Sequence, residues 1–92
     1  MTEARVETIR KLLTDGLAPV HLDIIDESHL HAGHAGAASG GGHFRVTVVS
    51  DKFDNESLIA RHRLIYSTLG DMMQTDIHAL SITAVTAEEH SS

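Results

Sequence analysis

"HFRVTVVSDKFDNESLIARHRLIYSTLGDMMQTDIHALSITAVT", residues 43–86, decides the fold. Phe44, Val46 and Val48 alternate with Arg45, Thr47 and Val49, a period of two that gives a strand with one buried face. Residues 50–56 are turn-like, and Asn55 suits a left-handed or capping position. Over residues 57–73, Leu58, His62, Ile65, Leu69 and Met72 recur as one stripe, widened by Ile59, Tyr66 and Met73. That spacing predicts an amphipathic helix of about four to five turns. Leu80, Ile82 and Ala84 then alternate with Ala79, Ser81 and Thr83 as a further strand. A strand, a long helix and a strand make a crossover unit, whose two strands run parallel.

Working upstream, Val6, Ile9, Leu12 and Leu13 sit at helical spacing between charged residues, and Gly16 reads as a C-terminal stop. A first helix is expected over 3–15. Pro19 resets the chain, and Val20, Leu22 and Ile24 alternate with His21, Asp23 and Ile25 as a first strand. Downstream, the tail 87–92 is polar and is expected to fray. The order is α-β-β-α-β in a single domain spanning 1–92. The expected fold is α+β, a three-stranded mixed sheet packed against helices, with the first two strands antiparallel.

This topology gathers histidines that are far apart in sequence. Residues 28–42 form a glycine- and histidine-rich loop carrying His29, His31 and His34, and His43 follows at the head of the next strand. If the last two strands are parallel, His78 begins its strand at the same end of the sheet. Neighbouring strands would place those two strand starts about 5 Å apart, or about 10 Å with one strand between them. A mobile loop of that length spans either gap. The bland reading of the loop is a solvent-exposed segment with adventitious metal affinity, since histidine-rich tracts arise compositionally. Asp23, Asp26 and Glu27 make an acidic edge beside it, either solvated or bonded to ligating histidines.

Composition narrows the function classes. The 92 residues carry a formal net charge of -6 with neutral histidines, which disfavours nonspecific attraction to phosphate backbones. Cysteine is absent, so there is no disulfide framework, thiolate nucleophile or cysteine-type zinc site. Any metal must be held by histidine or carboxylate, or shared with a partner that brings sulfur. The N-terminal residues alternate charged with apolar types, and no apolar run approaches membrane-spanning length, which makes a cytoplasmic address the expectation and a membrane none. An enzyme reading finds no support. "GAASGGG" lacks the Lys-Ser/Thr of a phosphate loop and precedes a strand, and no nucleophile, base and orienter come together from the expected elements.

Several spaced motifs give a family resemblance that covers essentially the whole chain. The His43-Phe44 strand start, the Val48-Val49-Ser50 end, Phe53, Arg61-His62-Arg63 with Tyr66, and Ile77-His78-Ala79-Leu80 together resemble the BolA family. "DIIDESHLHAGH" is similar to that family's first strand and variable loop. The family places glycine two residues after the phenylalanine; Asn55 stands there, and asparagine tolerates the same left-handed backbone. The resemblance implies a fold like the type II K-homology domain, without its Gly-x-x-Gly nucleic-acid loop.

The resemblance also implies a partner and a cofactor. It points to a heterodimer with a monothiol glutaredoxin in which the two chains share a two-iron, two-sulfur (2Fe-2S) cluster. His78 is then the principal ligand, with His31 or His43 as the second and His34 as a further candidate. The glutaredoxin cysteine and its glutathione complete the coordination. On this reading the chain is an adaptor in iron–sulfur cluster assembly, trafficking or iron regulation, not an enzyme, with no cluster of its own and a monomer or weak homodimer when alone. The alternative is a DNA-binding transcriptional regulator that uses the long helix, with Arg61, Arg63 and Lys52 as candidate nucleic-acid or partner contacts. In sequence terms Arg61 and Arg63 lie on the solvated side of the helix, flanking a His62 expected to pack in the core.

Overall fold

The computed structural model describes residues 2–27, 42–75 and 77–91. Its elements run α1 (Thr2–Leu17), β1 (His21–Asp26), β2 (Gly42–Val49), a 3-10 turn (Asp51–Phe53), α2 (Leu58–Leu69), α3 (Met72–Thr75), β3 (Ile77–Val85) and α4 (Ala87–Ser91). Most of the anticipated 28–42 loop lies outside the described residues, and so do His29, His31 and His34.

The three strands form one sheet in the order β1-β2-β3. β1 and β2 pair antiparallel, from His21 opposite Val49 to Asp26 opposite Phe44, and β2 and β3 pair parallel. The expected α+β fold with a mixed sheet is the one observed. Phe44, Val46 and Val48 of β2 point from the sheet into a core completed by Ile9, Leu13 and Leu17 of α1, Ile65 and Leu69 of α2, and Phe53. Apolar side chains at both the helical and the strand period thus meet on one side of the sheet, and their burial is the main stabilising term.

Three boundaries differ from the sequence expectation, each for a local reason. Helix α1 continues through Gly16 to Leu17, which is buried. Gly16 is therefore not a stop. A Cβ at that position would meet Thr68 Cγ2 at 2.6 Å, so glycine allows α1 to lie close against α2. The helix ends one residue later, where Ala18 takes a left-handed φ of 46° ahead of Pro19. Helix α2 stops at Leu69 and does not reach Met73, because Gly70 (φ 57°) caps it with its N–H donating to the Tyr66 carbonyl. Met72–Thr75 forms a separate turn.

The third difference concerns the tail, where residues expected to fray form helix α4. Thr86 and Glu89 make a reciprocal capping box: the Glu89 N–H donates to Thr86 Oγ1 (3.1 Å) and the Thr86 N–H to Glu89 Oε1 (2.9 Å). The stripe on α2 is also displaced. Leu58 and Ile59 are each 66% exposed, whereas Arg61, expected in solvent, is only 7% exposed. The buried line of α2 runs through Arg61, Ile65 and Leu69. His62, expected in the core, is half-buried.

Candidate functional site

Two of the four candidate ligands, His43 and His78, come together at one end of the sheet. His43 is the second residue of β2 and His78 the second of β3. Because the two strands are parallel neighbours, their starts lie side by side, as the topology required. The register contains a further device. Gly42 pairs with Ile77 and His43 with Ala79, so His78 is an extra residue in β3. Such a bulge breaks the strict alternation and re-aims one side chain. His78 and Ala79 are accordingly both exposed, while Ile77 and Ala84 turn into the core.

The consequence is a pair of imidazoles from two strands, with ring centroids 5.1 Å apart and planes inclined at 44°. Two imidazoles bound to one tetrahedral metal have centroids about 5 Å apart, given metal–nitrogen bonds of about 2 Å. His43 is half-buried with its Nε2 withdrawn from solvent, and His78 is exposed. One ring is therefore packed at the end of the sheet, and the other faces outward. The Glu27 N–H donates to the His43 carbonyl (2.8 Å), which holds the end of β1 against the same site. Of the acidic edge, Glu27 accepts from Arg45 Nε at 3.2 Å, which restrains it beside His43. Among the described residues no third metal-binding side chain joins the pair.

The basic residues of the alternative reading separate into two kinds. Lys52 in the 3-10 turn and Arg63 on α2 are exposed. Arg61 is not, which corrects its placement on the solvated side. Its Nε donates to the Glu56 carbonyl (2.9 Å), its Nη1 to the Ala84 carbonyl (3.0 Å), and Nη1 and Nη2 fork onto Glu89. A cleft of about 560 Å³ opens beside this network, lined by Asp51, Asp54, Arg61, Glu88 and Glu89 among others. Its lining is mainly acidic, with the Arg61 charge already spent on Glu89, so it repels phosphate. The cleft lies at the far end of β2 and β3 from the histidines. Sequence reasoning missed the Arg61–Glu89 pair, although Thr86-Ala87-Glu88-Glu89 carries the capping-box pattern that would have revealed a helix there.

No helix among the described residues is long and apolar enough to cross a membrane. The sequence model for BolA-like proteins matches residues 13–89. The chain is 42% identical over 83 residues to the DNA-binding transcriptional regulator BolA of Escherichia coli (strain K12), covering 90% of this chain and 76% of that one. It is 45% identical over 86 residues to SufE-like protein 1, chloroplastic/mitochondrial, of Arabidopsis thaliana; the match takes in 88% of this chain but only 23% of that relative's length. Among solved structures, the BolA domain of SufE1 from Arabidopsis thaliana superposes with a TM-score of 0.83 at 45% identity, covering 94% of this chain and 95% of that domain. With the family pattern matched from the first helix to the last, and the same fold in a structure of that kind, the chain belongs to the BolA family.

Proposed function

We propose that the chain acts as an adaptor in iron–sulfur cluster assembly, trafficking or iron regulation, by giving imidazole ligands to a 2Fe-2S cluster shared with a monothiol glutaredoxin. The observation that carries this reading is the His43–His78 pair, two imidazoles on adjacent strands with centroids 5.1 Å apart. The donor set fits one side of such a cluster, since two imidazoles can complete the coordination of one iron, as two histidines do in Rieske-type 2Fe-2S centres. His78 is the principal ligand. The second is His43, His31 or His34. The glutaredoxin cysteine and glutathione supply the sulfur that this chain lacks. When bound, a cluster with imidazole in place of thiolate has a raised reduction potential.

The residues of this chain have separate tasks in that reading. The bulge at His78 presents one imidazole outward from a strand whose backbone is already fixed. The sheet holds His43 behind it, and Glu27 and Arg45 restrain the adjoining end of β1. Anaerobic mixing with cluster-loaded monothiol glutaredoxin tests the proposal. The expected result is a change in visible absorption and circular dichroism that requires this chain, and an unchanged glutaredoxin spectrum would overturn it.

A second reading is favoured by the Escherichia coli relative, which is a DNA-binding transcriptional regulator. In this chain Lys52 and Arg63 would contact phosphate, and Arg61 would support the helix from within. With a net charge of -6, such binding would be weak and steeply salt-dependent. Gel shifts across a salt series distinguish it: tight, sequence-selective binding at physiological salt would place this reading first.

A further inference from the structure

A second pair of imidazoles lies at the opposite end of the sheet. His21 opens β1 and His90 belongs to α4, yet their rings lie 5.2 Å apart by centroid with planes only 19° from parallel. In the sheet register His21 is opposite Val49, and Val49 is opposite Val85, which makes one row across all three strands. Alternation along β2 turns Val49 away from the Phe44, Val46 and Val48 side. Val49 is nonetheless 0% exposed and stands apart from the helix-covered core cluster. Helix α4 follows directly on β3, and the ring contact brings His90 to the residue that opens β1.

Helix α4 is held there by bonds that do not involve either imidazole. Glu89 is forked by Arg61 and closes the capping box with Thr86. Both residues are exposed. The rings are stacked, and their 5.2 Å separation is also close to that of two imidazoles on one tetrahedral ion, about 5 Å. Histidine χ2 is broad and soft, so turning two exposed rings edge-on toward a common point requires little energy. Little ordering entropy remains to be lost either, since strand and helix already fix the two Cα positions.

We infer that His21 and His90 form a binding site for a divalent first-row transition ion, completed by solvent, which ties the C-terminal helix to the first strand. Imidazole nitrogen selects copper, nickel and zinc over magnesium and calcium, and copper binds tightest of the series. Because the site spans two elements that separate on unfolding, the ion stabilises the folded chain by mass action. This site is independent of the His43–His78 end and of the cluster reading.

The test uses the full chain with His29, His31, His34, His43 and His78 all replaced by alanine, so that the other end of the sheet cannot bind. Zinc chloride is expected to raise the thermal unfolding midpoint, increasingly with concentration, and magnesium chloride is not. Adding His90→Ala to that background should abolish the zinc-dependent rise. A rise that survives His90→Ala, or no rise in the parent background, overturns the site. If the five-fold variant does not fold, substoichiometric copper(II) is added to the wild-type chain and followed by nuclear magnetic resonance. Broadening at His21 that is lost in His90→Ala supports the site; broadening at His21 that persists in His90→Ala, or no broadening there in the wild type, overturns it.

Discussion

The guanidinium of Arg61 grips the carboxylate of Glu89 with two nitrogens, Nη1 to Oε1 at 2.6 Å and Nη2 to Oε2 at 3.2 Å. The residues are 28 apart in sequence, and the contact joins the start of α2 to the C-terminal helix. Arg61 also donates to the Ala84 carbonyl of β3 and to the Glu56 carbonyl before α2. One side chain thus satisfies acceptors on three segments, where a lysine point charge would not match the fork. The bond with Glu89 raises the Arg61 pKa further above its ordinary value.

Removing this side chain should be the most damaging polar substitution in the described chain. Arg61→Ala leaves the Ala84 and Glu56 carbonyls without their donor, at a cost of about 2 kcal/mol. In a domain of this size that lowers the melting temperature by roughly 10 °C. Arg61→Lys should recover only part of the loss. Urea denaturation with an unchanged m-value checks both, and wild-type stability in Arg61→Ala would refute the bracing role.

Acid should loosen the same contact over a defined range. The hydrogen bond from Arg61, followed by that from the Thr86 N–H, lowers the Glu89 pKa from 4.5 to about 2. A carboxyl whose folded pKa is depressed adds stability that is fully present above its unfolded value. That stability is lost as pH falls from near 4.5 toward about 2. Denaturation midpoints recorded at steps through that interval should fall more steeply for the wild type than for Glu89→Gln, which has no proton to gain. Parallel curves would show that Glu89 does not carry the dependence.

Gly16 gives a prediction that helix propensity alone reverses. Alanine normally favours a helix by about 1 kcal/mol over glycine. Here its Cβ would meet Thr68 Cγ2 at 2.6 Å, and Thr68 cannot easily turn away because its Oγ1 donates to the Leu64 carbonyl at 2.6 Å. Gly16→Ala should therefore destabilise by about 1 kcal/mol through overpacking. Thr68→Ser removes the offending methyl and keeps the hydroxyl, so the double variant should be more stable than Gly16→Ala alone. A double-mutant cycle measures the coupling; additive effects would argue against close contact between α1 and α2 at this point.

The element order and the meeting of His43 with His78 were legible because they depend on periodicity and on parallel crossover geometry. Alternation in β2 and β3 is nearly undisturbed, and a parallel pair must start at one end of the sheet. The bulge at His78 was not legible, since alternation in sequence reads the same whether or not a residue is skipped. Arg61 was misplaced for a different reason. Its burial depends on carbonyls of Glu56 and Ala84 and on a carboxylate 28 residues away, none of which affects the local hydrophobic pattern. Leu58 and Ile59 mislead the same reading, because the first turn of α2 extends past the core and leaves them in solvent. The C-terminal helix was legible in principle through its Thr-x-x-Glu pattern, which its polar composition masked.

The proposed ligation gives His78 a role that its place in the sheet makes testable. His78 is held by the bulge in β3, so its backbone is fixed before any partner arrives. A ligand fixed in this way loses little further backbone entropy on binding, where ordering a residue costs about 1–2 kcal/mol. His78→Ala should therefore abolish the spectral change on mixing with cluster-loaded glutaredoxin. Single alanine replacements at His31, His34 or His43 should each do less, because neighbouring imidazoles can take the vacated place. The fold should survive in all four. His78 is exposed and contributes little to the core, so far-ultraviolet circular dichroism should be unchanged and the stability difference within about 0.5 kcal/mol. A folded His78→Ala chain that still gives the wild-type hetero-complex spectrum would show that the strand-borne imidazole is not the ligand.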